Sequence, residues 1–389
     1  MVMHERRGFA LPAVIGALVI IGILVTSGFY MARQELRIGV ASKHANMAVN
    51  IAQAGANEVM ANWNGYQLGN IPVWGSSTIV DTISNGIWSV RIQNANNFVY
   101  FLTSTGTVTE GGALWAGASR TIGIATKILF ANIDPPAALT TRGQVKVGGT
   151  SDIIGTNYTP PSWGGVCTGN LGTAWDTTGV LLDDVTGGNP SVSGGGSIQG
   201  TPPFTEDSTI VDSTFTNFGD MDWAELVTFA QIEGKEVTSL GPTINNTTPV
   251  VTAGRCDVGV LTNWGDSVPT NPCGAYFPLI YHANNVSIQS TGFGQGLLLV
   301  EGDLELRGGY TFFGIIIVQG TFSTGTGNNR VIGAVMASNA ADLNQSFLGT
   351  GTIQYSRCGV NRAILNNASL SRARPLDERS WIDLTGAVN

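Results

Sequence analysis

The sequence predicts an α+β protein that is mainly β: a long N-terminal helix, a small antiparallel meander, then a right-handed parallel β-helix. Three observations carry this. An uncharged, mostly apolar run extends from Phe9 to Ala32 and is followed by helix-forming residues to Asn62. Between Thr78 and Ile128 short runs alternate apolar and polar residues, the period of half-buried strands. Near the end, Gly296-Leu297-Leu298-Leu299-Val300-Glu301-Gly302-Asp303-Leu304 is echoed by Gly314-Ile315-Ile316-Ile317-Val318-Gln319-Gly320-Thr321-Phe322, and again from Gly333 to Ala337. That offset of 18 to 19 residues matches one turn of a β-solenoid.

The apolar run is long enough to cross a bilayer, which takes roughly 20 residues, whereas the apolar region of a secretory signal is about 7 to 15. Arg6 and Arg7 precede it, so the leader is expected to stay cytoplasmic and the remainder to be exported. Beyond Arg33 the chain has no proline before Asn62 and carries small residues at Ala48, Ala52, Ala54 and Ala56, so the helix is expected to continue. Pro12 is compatible with a first helical turn.

A basic leader ending in Gly8, then Phe9-Ala10-Leu11 and an apolar helix, resembles the class III signal of type IV prepilins and type II secretion pseudopilins. The resemblance implies cleavage between Gly8 and Phe9 by a prepilin peptidase, N-methylation of Phe9, and retention of the helix as an assembly stem. Ala13 occupies the fifth mature position, where major pilins carry a glutamate. Subunits without that acid resemble PilX-type minor pilins and the K-type minor pseudopilin, which favours a tip or initiation role. The stretch Asn50 to Glu58 is similar to the "AEAG" segment of PilX-type proteins, with Gln53 in place of the acid. C-terminal β-helices follow such stems in some bacterial proteins. The competing reading is a plain anchor, or a signal peptide cut near Ser27-Gly28.

The resulting plan is a leader at 1–8, a transmembrane and assembly helix at 9–62, a pilin-like meander at 63–130, a β-helix body at 131–365 and a tail at 366–389. Leu11, Pro12, Ala13, Leu18, Ile21 and Tyr30 lie along the assembly face, and Gly16, Gly22 and Gly28 permit close helix approach. In the meander, Trp88 to Ile92, Phe98 to Leu102 and Thr121 to Ile128 are the expected strands. In the body, Leu304, Leu306 and Phe322 are expected to point inward and Asp303, Glu305, Thr321 and Ser323 outward, with corners at Gly302 and Gly320. Further rungs are expected within Gln144 to Ile154, Gly179 to Asp183, Ser191 to Gln199 and Asn285 to Gln289. A helix opening at Asp220 places Trp223, Leu226, Val227 and Ala230 on one face.

Composition restricts the chemistry. The 52 glycines and only 12% charged residues suit short strands and turns, and 43% hydrophobic residues supply a core. A net charge of -8 gives no basis for nucleic-acid binding. The histidines are His4, His44 and His282, so only His282 could serve a catalytic triad in the body, and no His-rich metal site can be built. Glu301, Asp303 and Glu305, Asp183 and Asp184, and Asp220 and Asp222 are acid clusters that could bind calcium or form an acid pair. A solvated outer face is the simpler expectation, because no basic cluster accompanies them. Cys167, Cys256, Cys273 and Cys358 allow 3 connectivities. The short loop favours Cys256 with Cys273, which leaves Cys167 with Cys358; free thiols are the alternative.

The sequence thus reads as a minor pilin or pseudopilin, without catalytic residues, metal or cofactor. Its expected partners are other pilin subunits, the prepilin peptidase, the bacterial inner membrane before assembly, and a surface glycan or protein ligand. A membrane-anchored or secreted β-helix carbohydrate-binding protein, or polysaccharide-degrading enzyme, is the alternative.

Overall fold

The computed structural model describes residues 10–63, 66–96, 98–109, 117–183, 188–343, 350–367, 370–376 and 381–385. The chain is mainly β, with a long N-terminal helix and both antiparallel and parallel sheets. It divides into two compact units, residues 1–128 with 373–389 and residues 129–372.

In the first unit, helix α1 (Ala10–Ala61) runs unbroken for 52 residues, about 78 Å at 1.5 Å per residue. Strands β1 (Ser76–Ile83), β2 (Gly86–Asn94), β3 (Val99–Val108) and β4 (Ser119–Phe130) form an antiparallel meander in sequence order. The alternation seen in the sequence is the burial pattern: Trp88, Val90 and Ile92 of β2 are buried, as are Tyr100 and Leu102 of β3. They pack on the last turns of α1, through Ala48, Ile51, Ala52, Ala56 and Val59. Close approach requires glycine here, because a Cβ on Gly106 would lie 2.2 Å from the Ala48 carbonyl oxygen and 2.5 Å from the Ala52 nitrogen. Within the segment read as a tail, Trp381–Asp383 pairs antiparallel with β4 and Leu376 N–H donates to Ala125 O at 2.9 Å.

The second unit is built on two parallel sheets. From Leu279 to Leu343 successive strands alternate between them. Leu279–His282, Phe293–Val300, Thr311–Val318 and Asn328–Ala337 are neighbours in one. Val286–Gln289, Leu304–Arg307, Thr321–Thr324 and Ala340–Leu343 are neighbours in the other. The echo in the sequence is the register itself, since Leu297 lies beside Ile315 and Ile315 beside Ala334. Buried on both faces, these strands read as continuous apolar runs, as parallel strands do.

Gly296, Gly314 and Gly333 stack in register with φ of 121°, 127° and 151°. A Cβ on Gly314 would sit 2.2 Å from the Gly296 carbonyl oxygen, so this column admits no side chain. The expected corner glycines Gly302 and Gly320 do lie between strands of the two sheets, but closeness rather than backbone handedness selects them. A Cβ there would meet Asn285 Oδ1 at 2.2 Å and Asp303 Oδ1 at 2.4 Å.

Leu304, Leu306 and Phe322 are fully buried, as the alternation implies. Ser323 lies on the groove side with Glu305, as the alternation implies, but is only 9% exposed, and its hydroxyl donates to Leu304 O at 3.4 Å. The earlier candidate rungs contain strands of these sheets; Val286–Gln289 joins in sequence order, but the segments before residue 200 do not. Ala137–Thr141 docks beside Asn328–Ala337, pairing Leu139 with Val335, and Val145–Val147 docks beside Ala340–Leu343.

The body helix spans Trp223–Ile232 and is capped by Asp222, not Asp220. Asp222 Oδ1 accepts the Glu225 N–H at 2.8 Å and Glu225 Oε2 accepts the Asp222 N–H at 3.3 Å. This reciprocal box places the start two residues later than the acid run suggests. Leu226, Phe229 and Ala230 are buried, and the helix packs against Leu279–His282.

Candidate functional site

Two features hold the side chains that the sequence marks as candidates: the apolar half of α1 and the surface of the parallel sheets. The Gly8-Phe9 processing position lies outside the described residues, as does Asp184. In α1 the change of environment is abrupt. Every residue from Leu11 to Ala32 whose side chain is described is exposed, Leu11, Ala13, Leu18, Ile21 and Tyr30 among them; the Pro12 side chain is not described. Leu18 is 63% exposed, whereas Ile51 is 1% exposed on the same helix. The bare stretch rises about 33 Å, which is near the thickness of a bilayer's hydrocarbon core. It is the one helix among the described residues long and apolar enough to cross a membrane. At its far end the Arg33 guanidinium lies 5.6 Å over the Phe29 ring, and Gln34 Nε2 donates to Tyr30 Oη at 2.9 Å. The amphipathic Tyr30 ring and the Arg33 cation suit the interface between hydrocarbon and water.

The acids of the body are occupied by local structure. Glu301 accepts a hydrogen bond from the Tyr281 hydroxyl, and burial together with that carboxylate pushes the Tyr281 hydroxyl's pKa up. Asp303 Oδ1 accepts the Thr321 N–H at 2.7 Å, and Glu305 Oε1 pairs with Arg307 Nε at 2.6 Å. Asp303 and Glu305 share an open groove of about 430 Å³ with Asn285, Ser287, Thr321 and Ser323; Glu301 does not line it. Among the described residues, no three His, Cys, Asp or Glu side chains converge to hold a metal.

One ladder went unnoticed in the sequence. Asn285, Asp303, Thr321 and Asn339 recur every 18 residues and link the starts of neighbouring strands in one parallel sheet. Asn285 Oδ1 accepts the Asp303 N–H at 2.8 Å, and Asn339 Nδ2 donates to Thr321 Oγ1 at 3.3 Å. Its signal was polar side chains repeating at the interval of the apolar echo.

His282 is buried, its Nδ1 and Nε2 lying 2.9 Å and 3.1 Å from the carbonyl oxygens of Asn284 and Gly241. Both ring nitrogens are thus engaged with backbone, as in a packed structural histidine. Lys235, also unflagged by the sequence, is buried and donates through Nζ to the carbonyls of Val258 and Val260 at 2.9 Å and 2.6 Å. Burial pulls its pKa down to about 8, with Asp257 opposing. In the structure Cys256 is bonded to Cys273 and Cys167 to Cys358.

No family model matches the chain, and no curated protein matches it. Among solved structures it is similar to the competence-associated pilin ComZ from Thermus thermophilus, over 87% of this chain and 96% of that one, at 11% identity. The TM-score is 0.24.

Proposed function

We propose that this chain is a minor pilin or pseudopilin that enters a type IV pilus-like or secretion filament through α1. The observation that carries the reading is one continuous helix, locked into a sheet from Ala48 to Val59 and bare and apolar from Leu11 to Ala32. A bare apolar surface of that length requires lipid or neighbouring helices. The leader ending at Gly8 supports processing by a prepilin peptidase and methylation of Phe9. Arg6 and Arg7 support a cytoplasmic leader and storage in the inner membrane. Ala13 in place of an acid supports a place at the filament tip.

In this reading the two parallel sheets are faces of a right-handed β-helix carried by the PilX-type stem, and the body binds a surface ligand or partner without catalysis or cofactor. The test is filament incorporation in the native host. Leu18→Glu or Ile21→Glu should abolish it, since a central charge costs about 3 kcal/mol in a membrane helix. Normal filament content of either variant would overturn the reading.

The groove at Asp303 and Glu305 favours one other reading, an anchored carbohydrate-binding or carbohydrate-degrading protein. It requires glycan binding or turnover that is lost in Glu305→Gln.

A further inference from the structure

Strand β1 forms one edge of the antiparallel sheet: among the described residues it pairs with β2 alone. In an antiparallel pair alternate residues bond to the partner strand. Thr82 N–H donates to Asp81 Oδ1 at 2.7 Å, which marks Ser76, Thr78, Val80 and Thr82 as the set turned away from β2. The N–H and C=O groups of Thr78 and Val80 therefore face outward with no described strand beside them. Sheet edges are commonly blunted by brevity, lysine or proline. The outer strands of the parallel sheets are two or three residues long, Lys235–Glu236 and Thr243–Ile244 at one end and Ser197–Gln199 and Ser191–Val192 at the other. Across the antiparallel sheet, Ser371–Pro375 ends in proline. In contrast, β1 has eight residues and contains no lysine, arginine, proline or glycine.

The start of this edge presents a tryptophan. Gly75 N–H donates to Pro72 O at 2.8 Å, closing a turn whose third residue, Trp74, has a φ of 66°. That left-handed conformation favours glycine, so a bulky residue is strained there. Asn94 holds the turn in place. Its Nδ2 donates to Ile71 O at 2.7 Å, its carbonyl accepts the Trp74 N–H at 2.8 Å, and its own N–H donates to Gly75 O at 3.0 Å. Core packing does not explain the strain, because Trp74 is 75% exposed; Val80 on the open edge is 61% exposed. A firmly held, exposed tryptophan beside an open strand edge has the character of a binding anchor.

Free amides and carbonyls at strand spacing are matched by another extended backbone, and Asp81, the sole charge in β1, calls for a basic residue opposite. The direction of α1 argues against a second copy. Gly106 of β3 abuts Ala48, and the Tyr100 ring lies 4.8 Å from that of Trp63 just past the helix, so α1 runs along the strands. Pairing two β1 edges antiparallel would send the two bare apolar halves in opposite directions, and one membrane cannot take both; this step rests on the membrane reading of α1. We propose that β1 docks one extended segment of another polypeptide. The segment adds as a strand along Ser76 to Ile83, with apolar side chains toward Trp74 and Val80 and a basic side chain at Asp81.

The experiment is calorimetric titration of the full chain in detergent, which needs no filament and so can fail while the assembly reading stands. The probe is a short acetylated and amidated peptide of alternating valine and threonine with a central lysine. One control carries glutamate for that lysine, and another is methylated on its central backbone nitrogens. The lysine peptide should bind at least about tenfold more tightly than the methylated one, which lacks the donors, and several-fold more tightly than the glutamate one. Val80→Pro, at a position whose N–H β2 does not use, should keep the fold and weaken the lysine peptide about tenfold. Trp74→Gly relieves the left-handed conformation, so it should hold or raise the melting temperature while weakening that peptide about tenfold. Absence of binding, equal binding of the methylated or glutamate peptide, undiminished binding in Trp74→Gly, or a dimer of the chain that Val80→Pro dissociates would overturn the proposal.

Discussion

The Ser104 hydroxyl donates a hydrogen bond of 2.7 Å to the Ala52 carbonyl oxygen, tying the middle of β3 to the helix two residues from where Gly106 abuts its backbone. Both contacts fix one half of α1, and the apolar half is left free for another role. Filling the Gly106 gap should therefore separate helix from sheet. Gly106→Leu is expected to lose about 3 kcal/mol of stability and Ser104→Ala about 1 kcal/mol, measured by chemical denaturation. A neutral Gly106→Leu would contradict the packing described.

The glycine column predicts a graded response. Gly314→Ala, with positive φ and a carbonyl 2.2 Å from the new Cβ, should cost about 2 kcal/mol or more, and Gly333→Ala should behave likewise. Gly69→Ala, where nothing lies within 4 Å and φ is not positive, is the control and should change the melting temperature little.

The two cystine links give a mass and a stability prediction. Non-reduced protein should be about 4 Da lighter than reduced protein. Removing Cys167–Cys358, which spans 191 residues, should cost about 5 kcal/mol, against about 3 kcal/mol for Cys256–Cys273, which spans 17. Equal losses would argue that local strain outweighs loop closure.

Lys235 sets a pH dependence. Its folded pKa, about 8, is below the ordinary 10.5, so between those values the unfolded chain holds a proton that the folded chain lacks. Stability should rise with pH from about 8. Above about 10 the half-buried Tyr276 and the buried Tyr281 and Tyr310, whose pKa values are raised, oppose that rise. Urea midpoints should increase from pH 8 to 10 in the parent protein and stay flat in Lys235→Met. A flat parent profile would contradict the account of Lys235.

Local periodicity made much of the fold readable. Trp88, Val90 and Ile92 disclosed a half-buried strand, and the paired runs Leu297–Leu299 and Ile315–Ile317 disclosed parallel neighbours at their true register. Contacts between distant segments were not readable. Nothing in Leu139 or Val145 signals that they pair with Val335 and Ala341 almost two hundred residues on. The same limit hid the buried Arg362, whose guanidinium lies over the Trp163 and Phe277 rings of separate loops; on its own helix, Arg357–Leu365, it resembles an ordinary basic residue near a C-terminus. Asp220 and Asp222 are both acids at plausible cap positions in the sequence, and only the bond to the Glu225 N–H decides for Asp222.

The central claim is that α1 is a processed assembly stem, and intact mass with N-terminal sequencing of the mature protein, from host cells with and without prepilin peptidase, tests it most directly. The account predicts a chain beginning at methylated Phe9 only when the peptidase is present. A chain retaining Met1 in both strains, or one beginning near Phe29, would contradict it.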